Sequence, residues 1–262
     1  MTTSVVTGAT AGLGAAFARR LAADGHGLVL VARDAERLER SAADLRERYG
    51  VEVEVLAADL ATDAGIAAVE ERLSAPGRPV DVLVNNAGFG NRGAFLDAPV
   101  EDELRMLKVH CEAVLRLTTA AVPGMRERRR GFVVNVASVA AYLPRGTYAA
   151  SKAWAVRFTE GVASELRGSG VRFLALCPGF VRTEFHARAG MDSSGLPPWA
   201  WLDADEVVAA ALRDLARGRT VSVPSARYKV AVSLARHVPP ALFGAAAGRA
   251  GRFDPKLRGT RG

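Results

Sequence analysis

The sequence is poor in the features that build disulfide frameworks, metal sites and membrane spans. Its two cysteines, Cys111 and Cys177, lie far apart and in no metal-ligand spacing, so we predict neither a disulfide nor a metal site and expect both to be buried. No run of about 18 uncharged apolar residues exists, which argues against a membrane-spanning helix. The first residues show neither a basic region nor an apolar signal core. We therefore expect a cytoplasmic protein.

Acidic residues are scarce at the C-terminal end of the chain. Residues 213–262 contain 11 lysines and arginines against two acidic residues, whereas residues 1–212 contain 24 against 26, so the net charge of +7 arises from this end. Such a segment can attract nucleic acid or anionic lipid, and the alternative is a solvated tail. No aromatic residues are interleaved with these charges in the manner of a base-stacking surface, so no nucleic-acid partner is predicted.

The chain does contain a regular alternation of apolar strands and amphipathic helices. With 262 residues, of which 49% are hydrophobic and 24% charged, it is long enough for one large core. The alternation predicts an α/β fold, with a Rossmann-like, doubly wound parallel sheet of about seven strands and helices on both faces. We assign residues 1–225 to this single domain and residues 226–262 to a basic, partly apolar C-terminal extension.

A glycine-rich turn follows the first strand. Gly8, Gly12 and Gly14 stand in a Gly-x-x-x-Gly-x-Gly spacing between the strand TSVVT and an amphipathic helix. The absence of side chains lets backbone amides at a helix N-terminus approach a pyrophosphate, and the helix dipole favours its negative charge. Taken alone, the same glycines are also compatible with a tight connection that binds nothing.

A basic residue, Arg33, follows the second apolar strand, where a dinucleotide-binding sheet meets the adenosine ribose. An acidic residue at this place would accept hydrogen bonds from a free ribose 2′-hydroxyl, whereas an arginine suits a 2′-phosphate. The sequence thus favours NADP(H) over NAD(H). The alternative is that Arg33 only stacks on a neighbour or caps a helix.

Tyr148 and Lys152 are four residues apart, at the start of a helix that we predict to begin just after Tyr148, so they share one helical face. A phenol has a pKa of about 10, and a nearby cation favours the phenolate, which makes the tyrosine a usable acid and base. Ser138, in the loop before this helix, is placed to hold a substrate oxygen against the phenol. A tyrosine and a lysine at this spacing are also common as an ordinary surface pair.

The candidate residues follow the ends of different predicted strands. Gly8 to Gly14, Asn86, Ser138 and Pro178 each come directly after an apolar segment. Ligands of open parallel sheets bind beyond the carboxyl ends of the strands, where such residues converge. This convergence favours one shared site over a set of unrelated motifs.

The chain contains, in this order, the segments TGATAGLG, Asp59, NNAG, Ser138, Tyr148-Ala-Ala-Ser-Lys152 and PGFVRT. In order and approximate spacing, this series resembles the short-chain dehydrogenase/reductase family over roughly residues 3–225. The resemblance implies an oxidoreductase that transfers hydride between NADP(H) and a carbonyl or secondary alcohol. It implies that Tyr148 is the general acid/base, that Lys152 lowers its pKa and holds the ribose hydroxyls, and that Ser138 positions the carbonyl.

The same resemblance implies the cofactor contacts. The glycine turn would cradle the pyrophosphate, Arg33 would accept the 2′-phosphate, Asp59 would lie beside the adenine, and Thr183 would touch the nicotinamide carboxamide. The full implied set is Gly8, Thr10, Gly12, Leu13, Gly14, Arg33, Asp59, Leu60, Asn86, Ala87, Gly88, Tyr148, Lys152, Pro178, Gly179, Val181 and Thr183.

Two features depart from the family pattern. His110 stands where many members carry an asparagine that helps relay protons to the active-site lysine through water. A histidine can donate, accept and titrate near neutrality, so a catalytic role is one reading and a buried histidine bonded to the backbone is the other. The interval from Ser138 to Tyr148 is about three residues shorter than is usual in the family, and this loop lines the substrate site.

Residues 184–206 read as a substrate lid, because the segment is rich in glycine and proline and carries Phe185, Met191, Trp199 and Trp201. Apolar lid contacts favour a hydrophobic ketone, aldehyde, acyl chain or sterol-like substrate, unless these aromatic residues simply close the core or an interface. A non-catalytic NADP(H)-binding regulator on the same fold is the alternative function.

Assembly and membrane contact remain open at the level of sequence. The family usually pairs two helices between subunits, and the corresponding segments here, 101–122 and 149–167, favour a homodimer or homotetramer. The C-terminal extension places basic residues around apolar runs, which suits an amphipathic helix on an anionic membrane surface, a subunit contact or a partly disordered tail.

Overall fold

The protein is described by a computed structural model that covers residues 2–91, 98–184 and 197–237. Seven parallel strands form one sheet in the order β3-β2-β1-β4-β5-β6-β7. The order reverses between β1 and β4, which is the switch point where ligands of such sheets bind. The prediction of a doubly wound sheet of about seven strands is confirmed. The strands are β1 (Thr3–Thr7), β2 (Gly27–Ala32), β3 (Val53–Ala57), β4 (Val82–Asn85), β5 (Gly131–Val136), β6 (Val171–Leu176) and β7 (Val221–Ser222).

The central strands are continuous apolar runs because both faces of the sheet are covered. Val5 in β1 pairs with Val29 in β2 on one side and with Leu83 in β4 on the other. All three side chains are at most 1% exposed. The apolar strands therefore form the middle of the sheet, and polar residues follow at their carboxyl ends.

Helices cover both faces of the sheet. Phe17, Leu38 and Val207 belong to the apolar core on one face, and Ile66 and Leu117 belong to the core on the other. The helices are α1 (Gly12–Ala23), α2 (Ala35–Tyr49), α3 (Asp63–Ser74), α4 (Val100–Leu107), α5 (Ala113–Glu127), α6 (Gly146–Glu165), α7 (Ala204–Ala216) and α8 (Ala226–His237).

Two helices differ from the sequence prediction. The helical segment assigned to residues 101–122 contains a π-helical turn, Lys108–Glu112, between α4 and α5. Such widened turns occur often at functional sites, and this one carries the buried His110. Helix α6 begins at Gly146, two residues before Tyr148, so Tyr148 lies in its first turn rather than before it.

The start of the C-terminal extension packs against the main body. Tyr228 in α8 accepts a hydrogen bond from the Phe180 amide at 3.2 Å and donates one to the Ala200 carbonyl at 2.8 Å. Val232 is buried, whereas Val230 and Leu234 are exposed. Helix α8 is thus anchored near the carboxyl edge of the sheet by one side of its surface. In the described ranges, none of the helices is long and apolar enough to span a bilayer.

Candidate active site

The glycine turn is packed so closely that side chains have no room in it. A Cβ on Gly14 would overlap the carbonyl oxygen of Gly8, and a Cβ on Gly8 would lie 2.9 Å from Nδ2 of Asn86. Gly8 and Gly12 have φ angles of 66° and 54°, which other residues rarely adopt. No side chain caps the start of α1. This bare helix N-terminus fits the pyrophosphate of a dinucleotide.

Asn86 joins the glycine turn to the loop after β4. Its Nδ2 donates to the carbonyl oxygens of Thr7 at 2.8 Å and Gly8 at 3.2 Å. In return, the backbone amides of Asn86 and Ala87 donate to Oγ1 of Thr7 at 2.9 and 3.0 Å. These bonds hold the ends of β1 and β4 together at the switch point, so the structure brings together the two motifs that the sequence placed there.

The other predicted residues of the glycine turn and the strand ends are close by. Thr10 and Leu13 are half-buried in the turn, and Leu60 is buried after β3. Asp59 accepts a hydrogen bond from the Ala61 amide at 3.0 Å, and its Oδ2 lies 3.7 Å from Nη2 of Arg105. The carboxylate of Asp59 is therefore held in place at the carboxyl end of β3.

Two arginines lie beyond β2 and differ in their surroundings. Arg33 is exposed, and within the described ranges no hydrogen bond or ion pair holds its side chain. Arg37, in the first turn of α2, forms a two-pronged ion pair with Glu184, with Nη2 to Oε1 at 2.6 Å and Nη1 to Oε2 at 3.3 Å. Hydrogen bonding to this carboxylate raises the pKa of Arg37.

Tyr148 and Ser138 meet at the carboxyl edge of the sheet. Ser138 lies at the N-terminus of a 3₁₀ turn, Val139–Tyr142, and its side chain hydrogen-bonds the Tyr148 hydroxyl. Burial raises the pKa of Tyr148 to about 12, although the bond to Ser138 acts in the opposite direction. The sequence led us to expect a lowered pKa. In the protein alone, desolvation of the phenolate outweighs the other influences.

Lys152 lies one helical turn after Tyr148. Its Nζ is 5.8 Å from the centre of the tyrosine ring and donates a hydrogen bond to the Val136 carbonyl at 2.8 Å. Burial lowers the pKa of Lys152 to about 8, because the ammonium has lost its hydration shell. Burial thus destabilises both the phenolate of Tyr148 and the ammonium of Lys152. A polar group that hydrogen-bonds either of them would stabilise its charged form.

His110 uses both ring nitrogens. Its Nε2 accepts a hydrogen bond from the Phe89 amide at 3.2 Å, and its Nδ1 lies 2.9 Å from Oγ of Ser151. Ser151 donates its own proton to the Tyr148 carbonyl at 2.8 Å, so we assign the proton of the ring to Nδ1. Burial and the nearby charge of Lys152 hold the pKa of His110 well below 6.5. The histidine is therefore neutral.

Gly88 and Tyr148 also lie beside the His110 ring. A Cβ on Gly88 would lie 2.8 Å from Nε2 of His110 and 3.6 Å from Nζ of Lys152. The histidine and tyrosine rings meet edge to face, with centroids 5.6 Å apart. The structure thus brings Gly88, His110, Tyr148 and Lys152 into one cluster.

The segment after β6 completes the edge. The Val139 amide donates to the Pro178 carbonyl at 3.0 Å, which joins this segment to the turn after Ser138. A Cβ on Gly179 would overlap the ring of Tyr228, and Val181 pairs with Leu202 in a short parallel bridge. A Cβ on Gly12 would lie 3.0 Å from Cγ2 of Thr183. All of the predicted residues of this segment lie along one edge of the sheet.

The predicted lid is only partly covered by the structure. Phe185 and Met191 lie outside the described residues. Trp199 is exposed, whereas Trp201 is half-buried and its ring centroid lies 6.0 Å from that of Phe180. Of the two lid tryptophans that the structure describes, Trp201 is the one that lies beside another aromatic ring.

Sequence reasoning missed three residues that contribute to this edge. Ser151 stands inside the Tyr148–Lys152 motif, and Arg37 is four residues after Arg33, so both had a local signal. Tyr228 had none, because its contacts with Gly179, Phe180 and Ala200 join segments that are far apart in the chain.

Comparison with known proteins agrees with this fold. The model of the short chain dehydrogenase family matches residues 2–193. A short-chain dehydrogenase from Sphingobium yanoikuyae, solved in complex with NADPH, superposes with a TM-score of 0.82 at 36% identity, over 100% of this chain and 99% of that one. The chain belongs to the short-chain dehydrogenase/reductase family.

Among curated proteins, the chain is 34% identical over 190 residues to a very-long-chain 3-oxoacyl-CoA reductase of Anas platyrhynchos, which covers 69% of this chain and 60% of that protein. It is 37% identical over 187 residues to the NADP-dependent 3-hydroxy acid dehydrogenase YdfG of Salmonella typhi, over 69% and 73% of the two chains. The chain spans about half to three fifths of the length of the first curated relatives that it matches.

Proposed function

We propose that the protein is an NADP(H)-dependent oxidoreductase that interconverts a carbonyl group and a secondary alcohol. The observation that carries this proposal is the arrangement around the half-buried Tyr148, whose hydroxyl is hydrogen-bonded to Ser138 and which has the Lys152 ammonium one helical turn away. Bound NADPH would supply the hydride. A regulator that only bound the dinucleotide would not need these three side chains together.

The three side chains have distinct roles in this proposal. The hydroxyl of Ser138 holds the substrate oxygen, and Tyr148 donates its proton to that oxygen as negative charge develops there. In the oxidation direction Tyr148 accepts the proton. The Lys152 ammonium favours the tyrosinate by its positive charge, and a ribose hydroxyl near Nζ would give the ammonium a second hydrogen-bond partner beside the Val136 carbonyl.

We assign His110 a positioning role rather than the proton-relay role suggested by its place in the sequence. Both ring nitrogens are engaged, to the Phe89 amide and to Ser151. A neutral, fully bonded ring has no vacant nitrogen with which to pass a proton on. Instead, His110 holds the loop after Gly88 against the first turn of α6, and this contact fixes where Tyr148 stands.

The described residues support NADP(H) as the cofactor. The bare glycine turn and the N-terminus of α1 suit the pyrophosphate, and the exposed Arg33, which pairs with no other described residue, suits a 2′-phosphate. Asp59 and Leu60 would border the adenine. Asn86, Ala87 and Gly88 would support the nicotinamide ribose, and the segment Pro178 to Thr183 would face the nicotinamide. The relatives from Sphingobium and Salmonella are named for NADPH and NADP, which supports the same choice.

We infer that the substrate is hydrophobic. The turn after Ser138 contributes Val139, Ala141 and Tyr142 to an apolar cluster that also contains Trp154 and Tyr228. A bulky-bulky ketone specific alcohol dehydrogenase from Comamonas testosteroni superposes with a TM-score of 0.78 at 30% identity, over 100% of this chain and 97% of that one. An apolar wall beside the reacting hydroxyls would favour a ketone or aldehyde with large carbon groups over a sugar.

Oxidation of NADPH against ketones and aldehydes of graded chain length tests the reaction, the cofactor and the substrate size together. We expect turnover to rise with chain length, with a clear preference for NADPH over NADH. Tyr148→Phe should abolish turnover and leave NADPH binding, measured by quenching of protein fluorescence, nearly intact. Full turnover by Tyr148→Phe would contradict the role of Tyr148, and a preference for NADH would contradict the choice of cofactor.

We propose a homo-oligomer that pairs α4–α5 and α6 between subunits. Leu104 and Leu115 are exposed on the first segment, and Trp154 and Phe158 stack on α6 with centroids 4.9 Å apart. Light scattering on the full chain would separate a dimer or tetramer from a monomer, and a monomer at all concentrations would contradict the proposal.

The cytoplasmic location and a peripheral membrane contact stay predictions. Support for the contact is limited to the exposed Val230 and Leu234 on α8, which Arg227 and Lys229 flank. Co-sedimentation of the full chain and of a chain ending at Ser225 with anionic vesicles tests it. Equal pelleting of the two would contradict a membrane role of the C-terminal extension.

A further inference from the structure

Two arginines follow the carboxyl end of β2. Arg33 could bind a ligand directly, whereas Arg37 would first have to leave its partner. Arg33 is exposed and has no hydrogen bond or ion pair with any other described residue. Arg37 is paired with Glu184 through two hydrogen bonds, at 2.6 and 3.3 Å. A planar guanidinium offers two parallel N–H groups, and a carboxylate and a phosphate compete for the same pair.

Glu184 belongs to the segment after β6, whereas Arg37 belongs to α2. Its neighbour in sequence, Thr183, packs against the glycine turn, where a Cβ on Gly12 would lie 3.0 Å from the threonine Cγ2. Arg37, on the first turn of α2, follows the end of β2. The ion pair therefore joins the ends of β2 and β6 alongside the glycine turn, at the place where a dinucleotide sheet holds the adenosine ribose.

The remaining charges near Arg37 leave Glu184 as its principal partner. Asp34 caps α2 by accepting from the Arg37 amide at 2.9 Å, and no ion pair joins its carboxylate to the Arg37 guanidinium within the described ranges. Glu36 faces Arg40, with Oε2 and Nη1 3.6 Å apart. Glu184 is thus the carboxylate that neutralises Arg37.

The Arg37–Glu184 pair can be broken at small cost. The two side chains are 32% and 51% exposed, and ion pairs in such surroundings contribute little because water solvates each partner when they separate. A phosphate monoester carries about −1.5 to −2 charges at neutral pH and three acceptor oxygens. A 2′-phosphate is therefore a stronger partner for Arg37 than a single carboxylate.

We propose that Glu184 is a specificity-determining residue that occupies Arg37 until the 2′-phosphate of NADP(H) displaces it. The proposal rests on the proposed NADP(H) function and deepens it. Because the exchange is needed only for a phosphorylated ribose, Glu184 weakens the binding of NADP(H) and leaves NAD(H) unaffected. Glu184 thereby reduces the preference for NADP(H) over NAD(H) that the two arginines provide. It also links binding of the 2′-phosphate to the segment that carries Thr183.

The test measures binding of adenosine 2′,5′-bisphosphate and of ADP by calorimetry at low ionic strength, without turnover. We expect Glu184→Gln to bind adenosine 2′,5′-bisphosphate about threefold to tenfold more tightly than the wild type and to bind ADP equally well. We expect Arg37→Gln to bind the bisphosphate about tenfold more weakly, again with no change for ADP. In the double variant, Glu184→Gln should add nothing to Arg37→Gln.

The matched control is Glu36→Gln, which removes one negative charge from the same turn of α2 without touching Arg37. It should leave both affinities within about twofold of the wild type. Unchanged or weaker bisphosphate binding by Glu184→Gln would overturn the proposal, as would an equal gain in Glu36→Gln. Wild-type protein that binds adenosine 2′,5′-bisphosphate no more tightly than AMP, which lacks only the 2′-phosphate, would contradict the choice of NADP(H) itself, so the two failures are distinguishable.

Discussion

Nδ1 of His110 lies 2.9 Å from Oγ of Ser151, which in turn donates to the carbonyl oxygen of Tyr148 at 2.8 Å. A buried histidine in the π-helical turn is thereby connected to the backbone of the residue that we propose as the general acid. On its other side the same ring accepts from the Phe89 amide. His110 thus connects the loop after β4 with the first turn of α6.

Loss of the Ser151 hydroxyl should separate a positioning role of His110 from a proton-relay role. Ser151→Ala leaves the buried Nδ1–H of His110 without an acceptor, which should lower the free energy of unfolding by about 1–3 kcal/mol. We expect kcat to fall while the Kd for NADPH stays constant. Denaturant unfolding, steady-state kinetics and fluorescence titration measure the three quantities. Ser164→Ala, an exposed serine on the same helix, is the control and should change none of them.

His110→Asn tests the same role through the pH dependence of the rate. Because burial holds the pKa of His110 well below 6.5, the imidazole should not ionise between pH 6 and 9, and the kcat profile of the wild type should show no step from it there. We expect His110→Asn to lower kcat about tenfold and to keep the shape of the profile, because the shorter side chain cannot reach both partners. Loss of one limb of the profile in this variant would instead indicate proton transfer by His110.

Burial of Lys152 should lower the free energy of unfolding at neutral pH. Its pKa is about 8 in the folded protein against about 10.5 in an unfolded chain, so the unfolded state binds more protons between these values. The free energy of unfolding should therefore rise as pH increases from 8 towards 10.5. This gain is opposed above pH 10 by Tyr148, whose raised pKa makes ionisation of the unfolded chain the favoured process.

Lys152→Met should make the protein more stable and inactive. Removal of a buried ammonium whose pKa is lowered by between two and three units should raise the free energy of unfolding at pH 7 by about 2 kcal/mol, after the lost bond to the Val136 carbonyl is subtracted. The gain should vanish near pH 10.5, where the lysine is neutral in both states. Urea unfolding at both pH values checks this, and a less stable variant at pH 7 would contradict it.

The fold was predictable because its signals are local. Continuous apolar strands such as the one around Val5, and helical periodicity between them, predict a covered parallel sheet without knowledge of any contact. The glycine turn and the Tyr148–Lys152 spacing are local signals too, and they predict the candidate site that we describe. The π-helical turn at His110 was not predictable, because its widened backbone depends on contacts with Phe89 and Ser151 from other segments.

The electrostatics of the site was predictable only in part. A lysine near a tyrosine suggests a lowered phenol pKa, yet the sequence cannot report how much water either group loses on folding. In the structure, burial dominates and raises the pKa of Tyr148 to about 12. The contact of Arg37 with Glu184 was likewise beyond the sequence, since 146 residues separate the two side chains in the chain while the fold brings them within hydrogen-bond distance.

The glycine turn should tolerate no methyl group at position 14. Gly14→Ala places a Cβ on the Gly8 carbonyl oxygen. Because the Cβ is fixed rigidly to one backbone segment and the oxygen belongs to another, the overlap should force α1 away from β1. We expect the free energy of unfolding to fall by about 1–3 kcal/mol or more, as in an overpacked core, and NADPH to bind more weakly. Thermal unfolding with and without NADPH measures both effects.

Gly161→Ala is the matched control for Gly14→Ala. Gly161 lies in the exposed part of α6, has a helical φ, and a Cβ there would meet nothing within 4 Å. Alanine favours a helix by about 1 kcal/mol over glycine, so this variant should be slightly more stable than the wild type. A similar loss in both variants would show that the crowding around Gly8 does not explain the effect at Gly14.

Tyr228 should connect the C-terminal helix to the nicotinamide side of the site. Its hydroxyl bonds the Phe180 amide and the Ala200 carbonyl, and its ring fills the space in which a Cβ on Gly179 would stand. Tyr228→Phe keeps the ring and removes both hydrogen bonds, so we expect a loss of about 1–2 kcal/mol in the free energy of unfolding. Because Phe180 lies in the segment that we propose to face the nicotinamide, the KM for NADPH should rise as well.

Gly179→Ala provides the steric counterpart of Tyr228→Phe. The new Cβ overlaps the Tyr228 ring, so the variant should lose stability and release α8 from the carboxyl edge of the sheet. Hydrogen exchange across residues 226–237 should then rise in Gly179→Ala, and the double variant Gly179→Ala, Tyr228→Ala should recover part of the lost stability because the added methyl group no longer meets a ring. Strictly additive losses in the double variant would show that the two positions do not interact.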